Sequence, residues 1–128
     1  MRALLNGDYF DVLADDDARM VRLVRSPKGF PSHQVIEDTF AQIEQAIASV
    51  PPGWALLIDT REGPLRNDPQ FEELLGRARG RIVYRFARTA VLVQSAIGRL
   101  QVARYAREDR RSPSVFTDEA AAIAYLTT

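Results

Sequence analysis

Apolar residues recur at Ile36, Phe40, Ile43, Ile47 and Val50, in steps of four, three, four and three. That spacing puts them on one stripe of an α-helix. Glu37, Asp38, Gln42, Glu44 and Gln45 fill the other face. Ser32 stands where an N-cap is wanted, and Pro51-Pro52-Gly53 closes the helix. Trp54-Ala55-Leu56-Leu57-Ile58 breaks this rhythm with an unbroken apolar run ended by Asp59, and Thr89–Val93 repeats it. A strand apolar on both sides belongs at the centre of a sheet with helices over both faces.

The remaining segments fit around this centre. Tyr9–Ala14 and Arg19–Arg25 read as two strands of a hairpin joined by the Asp15-Asp16-Asp17 turn, whose short acids bond their own backbone. Ser26–Pro31 is a loop. Thr60–Asn67, with Gly63 and Pro64, is another. Asp68-Pro69 is an N-cap followed by proline at the first helical position. It opens a second helix that carries Phe71, Leu74, Leu75 and Ala78 and runs to about Tyr84. Gly76 and Gly80 weaken that helix, and two short helices joined by a turn are the alternative. Ser95 suits the cap of a third helix with Ile97, Leu100 and Ala103. Ser114–Phe116 is a short last strand. Thr117 caps a final helix with Ala121, Ala122, Ile123 and Leu126 facing inward. The expected order is β-β-α-β-α-β-α-β-α, an α/β domain over residues 1–128 with a mixed, mostly parallel sheet flanked by helices. Its core is expected to hold Val12, Val21, Leu23, Ile36, Phe40, Ile43, Ile47, Leu56, Ile58, Phe71, Leu75, Val91, Val93, Leu100, Ile123 and Leu126.

Composition narrows the chemistry. The chain has no cysteine and one histidine, His33, among 128 residues. Thiol catalysis, iron–sulfur ligation, disulfides and multi-histidine metal sites are excluded. The aspartate triplet lacks the glycine and distant glutamate of an EF-hand loop. No apolar run approaches a membrane span, and the N-terminus does not read as a signal peptide, so a cytoplasmic protein is expected.

The net charge is zero but unevenly spread. Residues 1–64 carry ten acids and six bases, residues 65–128 seven acids and eleven bases. Residues 77–111 hold ten arginines against Glu108 and Asp109, with Tyr84, Phe86 and Tyr105 interleaved. Such a segment is a candidate for binding polyanions, with Arg99, Arg104 and Arg107 as its contacts. A neutral domain of pI near 6.6 argues against nucleic acid and for a solvated, ion-paired face. Arg77 and Arg81 fall one turn apart, where they either share that face or pair with Glu73 and Glu72.

Three segments carry a family likeness. They are Trp54–Arg61, a buried strand ending in Asp-x-Arg; Phe86–Val93, the next strand; and Val115–Leu126. The last is similar to a closing Phe-x-x-x-x-x-Ala-x-x-Trp-Leu, with Tyr125 in the tryptophan place. With the order of elements, they resemble the STAS fold of anti-sigma factor antagonists, and more closely the bacterial SpoIIAA-like proteins. The resemblance implies a binding or regulatory module. It also brings a known switch, a serine after the central strand that a kinase phosphorylates. Here Asp59 is followed by Thr60, Arg61, Glu62, Gly63 and Pro64, with Thr60 the nearest hydroxyl and no serine, so the switch is not expected.

The crevice beyond the C-terminal strand ends is where ligands of α/β sheets bind. Here it would be built from Thr60, Arg61 and Glu62 after one strand and from Gln94 and Ser95 after the next, with Asn67 of the first loop a further candidate. Asp59 is expected to anchor the loop by accepting backbone N–H bonds. No Gly-x-Ser-x-Gly, phosphate loop or carboxylate pair is present, and Gly76 and Gly80 lie inside a helix, so they form no dinucleotide fingerprint. The expectation is a non-enzymatic module without a cofactor that meets a protein partner over Thr60 to Arg81, including Arg77. A carrier of a lipid-like or anionic small ligand, with Arg61 on the headgroup, is the alternative. A homodimer is left open.

Overall fold

The computed structural model describes residues 1–64, 69–94 and 114–128, with backbone alone at residues 71 and 72. In the central strand β4 (Ala55–Asp59) every residue is buried. Successive side chains of a strand point to opposite faces, so Leu56 and Ile58 enter one hydrophobic cluster and Ala55 and Leu57 a second. This strand therefore needs cover on both faces.

The sheet has six strands in the spatial order of the chain. β1 (Arg2–Asn6), β2 (Phe10–Asp15) and β3 (Met20–Arg25) form an antiparallel meander. From β3 onward the pairing is parallel, through β4, β5 (Arg88–Leu92) and β6 (Ser114–Phe116). Leu56 lies opposite Val21 on one side and Thr89 on the other.

Helices α1 (His33–Ile47) and α2 (Pro69–Val83) contribute Ile36, Phe40, Ile43, Ile47, Ala78, Ile82 and Val83 to the larger cluster, where they meet Val12, Val21, Leu23, Leu56, Ile58, Val91 and Val93. The final helix α3 (Glu119–Thr127) covers the other face, placing Ala122 and Leu126 on Met20, Leu57, Ala90 and Leu92. Small residues at Ala55, Ala90 and Ala122 let this shorter helix lie close to the sheet. Ser32 caps α1, its Oγ accepting the Val35 N–H at 3.3 Å.

Three expectations are corrected, and one open alternative is decided. A strand, β1, precedes Tyr9–Ala14. Ala3-Leu4-Leu5 does not alternate, because an edge strand paired on one side with a register shift needs no strict pattern. α2 is one continuous helix, as the first of the two readings had it and not two short ones, since packing against α1 outweighs the roughly 1 kcal/mol each glycine, Gly76 and Gly80, costs. The cap of the last helix is Asp118, not Thr117, with its carboxylate accepting the Ala121 N–H at 3.1 Å. That shift leaves Ala121 exposed while Ala122 is buried. Among the core residues, Leu75 and Ile123 are only partly buried. The Phe71 side chain, Asp68, Leu100 and the third helix expected from Ser95 lie outside the described residues.

Candidate functional site

Parallel strands β3, β4, β5 and β6 end at Arg25, Asp59, Leu92 and Phe116, on one edge of the sheet. The β4–α2 loop leaves from there. Thr60 extends the ladder, donating both its N–H (2.9 Å) and its hydroxyl (3.0 Å) to the Leu92 carbonyl. Because side chains alternate, the polar groups on this edge divide into two clusters on opposite faces.

The first cluster lies on the α3 face. Asp59, 8% exposed, accepts the backbone N–H of Arg61 at 3.1 Å. Arg61 folds back and holds the same carboxylate in a fork, Nε to Oδ1 at 3.0 Å and Nη2 to Oδ2 at 2.8 Å. Arg61 Nη2 and Arg22 Nη1 also donate to Glu119 Oε1, each at 3.2 Å. Two acids and two bases thus cancel, and they join the loop after β4, strand β3 and the first turn of α3. Paired carboxylates on forked arginines are strong, geometrically fixed contacts.

Burial by itself raises the Asp59 carboxyl, but the Arg61 side-chain and backbone hydrogen bonds and the charges of Arg61 and Arg22 outweigh it, and its pKa lies below the ordinary carboxylate value. Stability from this group is therefore fully present above the unfolded carboxylate pKa, about 4, and is lost as pH falls through the lower folded value. Asp16, held by Arg2 on the surface, shifts the same way. The informative comparison is between variants: Asp59→Asn should be less stable than wild type at pH 7, and the gap should narrow as both are acidified below about pH 4. Thermal unfolding across that range checks it, and a gap independent of pH would overturn the assignment.

The second cluster surrounds Arg25 on the α1/α2 face. Arg25 is 7% exposed. Its Cζ lies 4.3 Å from the ring centroid of Phe30, 5.6 Å from Phe10 and 5.9 Å from Tyr9. Tyr9 and Phe30 stack on each other at 4.7 Å, and Lys28 Nζ lies 5.4 Å from the Tyr9 ring. Nη1 donates to the carbonyls of Ser26 (2.8 Å) and Tyr9 (3.2 Å), with a longer contact to Ser26 Oγ at 3.4 Å. Burial pushes the guanidinium pKa down to about 10, so it remains charged at neutral pH. Gly63 lets the β4–α2 loop lie against it, since a Cβ there would stand 2.7 Å from Arg25 Cγ.

The expected site residues are only partly brought together. Thr60, Arg61 and Glu62 share the loop after β4, with Glu62 exposed. Arg77 is exposed on α2. Arg81 pairs across to α1, Nε to Glu44 Oε1 at 3.0 Å, and the Glu72 side chain lies outside the described ones. Asn67 and Ser95 lie outside the described residues, as do Tyr105, Arg99, Arg104 and Arg107 of the arginine-rich segment. The arginines of that segment that are described point in different directions. Arg79 is buried, Arg81 meets α1, and Arg88 donates to the Tyr125 carbonyl at 2.9 Å and the Thr128 hydroxyl at 3.0 Å.

Sequence reasoning missed Arg25 and Glu119. A signal for Arg25 was present. Val21, Leu23 and Arg25 occupy alternate positions of one strand, so the arginine falls on the inward side. Nothing local marks Glu119, whose partners are 97 and 58 positions away. Among the described residues, no group of three or more acids and histidines is placed to hold a metal ion. No helix among them is long and apolar enough to cross a membrane.

No protein-family model matches the chain, and no curated protein matches it. A solved structure does. It is the crystal structure of an uncharacterized protein of the DUF3478 family, with a SpoIIAA-like fold, from Shewanella loihica PV-4. The likeness covers 98% of this chain and 98% of that one, with a TM-score of 0.59 and 22% sequence identity. At that identity the likeness is one of fold. The six-stranded mixed sheet, its two-sided core and this end-to-end match together give the chain a SpoIIAA-like fold.

Proposed function

We propose that this domain is a non-enzymatic regulatory module that meets a protein partner along the β4–α2 loop and the outward face of α2. The observation that carries the reading is Tyr84. Together with Met1 it is one of the two large apolar side chains exposed among the described residues, at 69%. It stands just past the end of α2, in line with a helix whose exposed residues include Glu73, Arg77 and Arg81. An exposed tyrosine among mixed charges is the composition of an interface anchor with a polar rim. The site chemistry favours the same reading. The Asp59 carboxylate and the Thr60 hydroxyl both hold the loop in place, and catalysis would need such groups free to act on a substrate.

The test compares two surface variants that leave the core untouched. One carries Glu73→Lys, Arg77→Glu and Tyr84→Ser on α2. The other carries Glu37→Lys and Gln42→Lys on α1. Both should unfold at temperatures close to wild type. A protein captured in near-equal amount with wild type and the α1 variant should be lost with the α2 variant. Equal capture by all three would reject α2 as the docking face.

A further inference from the structure

We propose that Arg25 is the anion-recognising centre of a small-molecule site that takes a carboxylate. This site is separate from the α2 surface and goes beyond the partner-binding reading.

The chain itself shows how its arginines hold carboxylates. Arg2 grips Asp16 through Nε and Nη2 at 2.9 and 3.0 Å, and Arg61 grips Asp59 through the same two atoms at 3.0 and 2.8 Å. Arg25 is far more buried than either, yet it bonds only through Nη1, and only to neutral oxygens. No carboxylate among the described residues pairs with it. Asp8 and Glu62 in the two flanking loops do not reach it. Its Nε–Nη2 edge, the one used twice elsewhere for a fork, makes no hydrogen bond among the described residues. Among the described residues, no sealed and unbonded side-chain nitrogen belongs to Arg25, so that edge keeps contact with solvent.

A desolvated guanidinium normally comes with its counter-charge, because burial without one is costly. Aromatic faces offset part of that cost through their quadrupoles. Here Tyr9, Phe10 and Phe30 supply those faces. The surroundings add positive charge. Lys28 sits over Tyr9. Helix α1 begins two residues past Pro31, and no acid stands in its first turn to neutralise the free N–H groups. Three loops meet at the guanidinium: the β1–β2 turn through the Tyr9 carbonyl, the β3–α1 loop through Ser26 and Phe30, and the β4–α2 loop through Gly63. That is the strand-end crevice in which ligands of α/β sheets are held. The fork favours a carboxylate, whose two oxygens match the spacing of Nε and Nη2.

Benzoate is the probe, with benzamide as its uncharged isostere and acetate as the carboxylate without a ring. In ¹⁵N-edited NMR of the wild-type protein, benzoate should shift the Arg25 Nε–Hε signal and the amides of Ser26 and Gly63 saturably. Benzamide should not. Acetate should move the same signals, because the fork reads the carboxylate. Arg25→Lys keeps the charge without the fork and should weaken benzoate roughly tenfold. Since Arg25 ties three loops together, that variant is read only after its unfolding temperature is measured. The wild-type comparison of benzoate with benzamide stands whether or not the variant folds. No saturable shift with benzoate up to about 10 mM, or equal shifts with benzamide, would overturn the proposal.

Discussion

Leu56→Ala is expected to lower the unfolding free energy by about 2–5 kcal/mol, and Leu56→Asp to prevent folding. Leu56 is fully buried in the middle of β4, between Val21 on β3 and Thr89 on β5. Its side chain fills the layer between the sheet and α1/α2. Truncation removes both its transfer free energy and the contacts of every neighbour that cannot collapse into the gap. Leu57→Ala should cost an amount in the same range through the opposite layer, where α3 lies on the sheet. The two leucines belong to different clusters, so each loss reports on its own face, and any departure from additivity in the double variant reports the coupling through their shared strand. Urea unfolding of the two single variants and the double variant measures this. A loss below about 1 kcal/mol at either position would mean that the strand is not covered on that face.

Gly63→Ala is expected to cost about 1–3 kcal/mol, although it adds a single methyl group on a surface loop. The added Cβ would stand 2.7 Å from Arg25 Cγ, 3.4 Å from the Thr60 carbonyl and 3.6 Å from Arg25 Cβ. Arg25 cannot simply swing aside, because Nη1 is fixed by two carbonyls and Cζ is held against Phe30. Either the β4–α2 loop lifts or Arg25 loses its contacts. The same change at Gly29 is the control. Nothing lies within 4 Å of a Cβ there, so Gly29→Ala should stay within about 0.5 kcal/mol of wild type. Equal effects at the two glycines would show that the loop does not rest on Arg25. Gly63→Ala should also weaken benzoate binding, whereas Gly29→Ala should not.

The central elements were legible because their pattern is local. The Ile36–Val50 stripe can bury its apolar face only as a helix, and Trp54–Ile58 can bury both of its faces only inside a sheet. The Ser32 cap needs nothing beyond three residues of backbone. β1 was not legible, because an edge strand takes its definition from the neighbour it pairs with. Thr117 and Asp118 both suit the cap of α3, and strand β6 and the Ala122 packing decide for Asp118.

The candidate site divides in the same way. The sequence by itself marked Asp-x-Arg as the close of the central strand and Asp59 as an acceptor of backbone N–H bonds, whereas the fork of Arg61 on that carboxylate is a finding of the structure. It also determined that the chain has no thiol and no multi-histidine chemistry. Only the tertiary structure decided that Glu119 and Arg22 complete that cluster, that Arg81 reaches Glu44 on another helix, and that Arg25 stands among three aromatic rings with no carboxylate among the described residues paired to it. Those contacts join residues far apart in the chain. Their energies come from burial and from the meeting of loops, which no local pattern records.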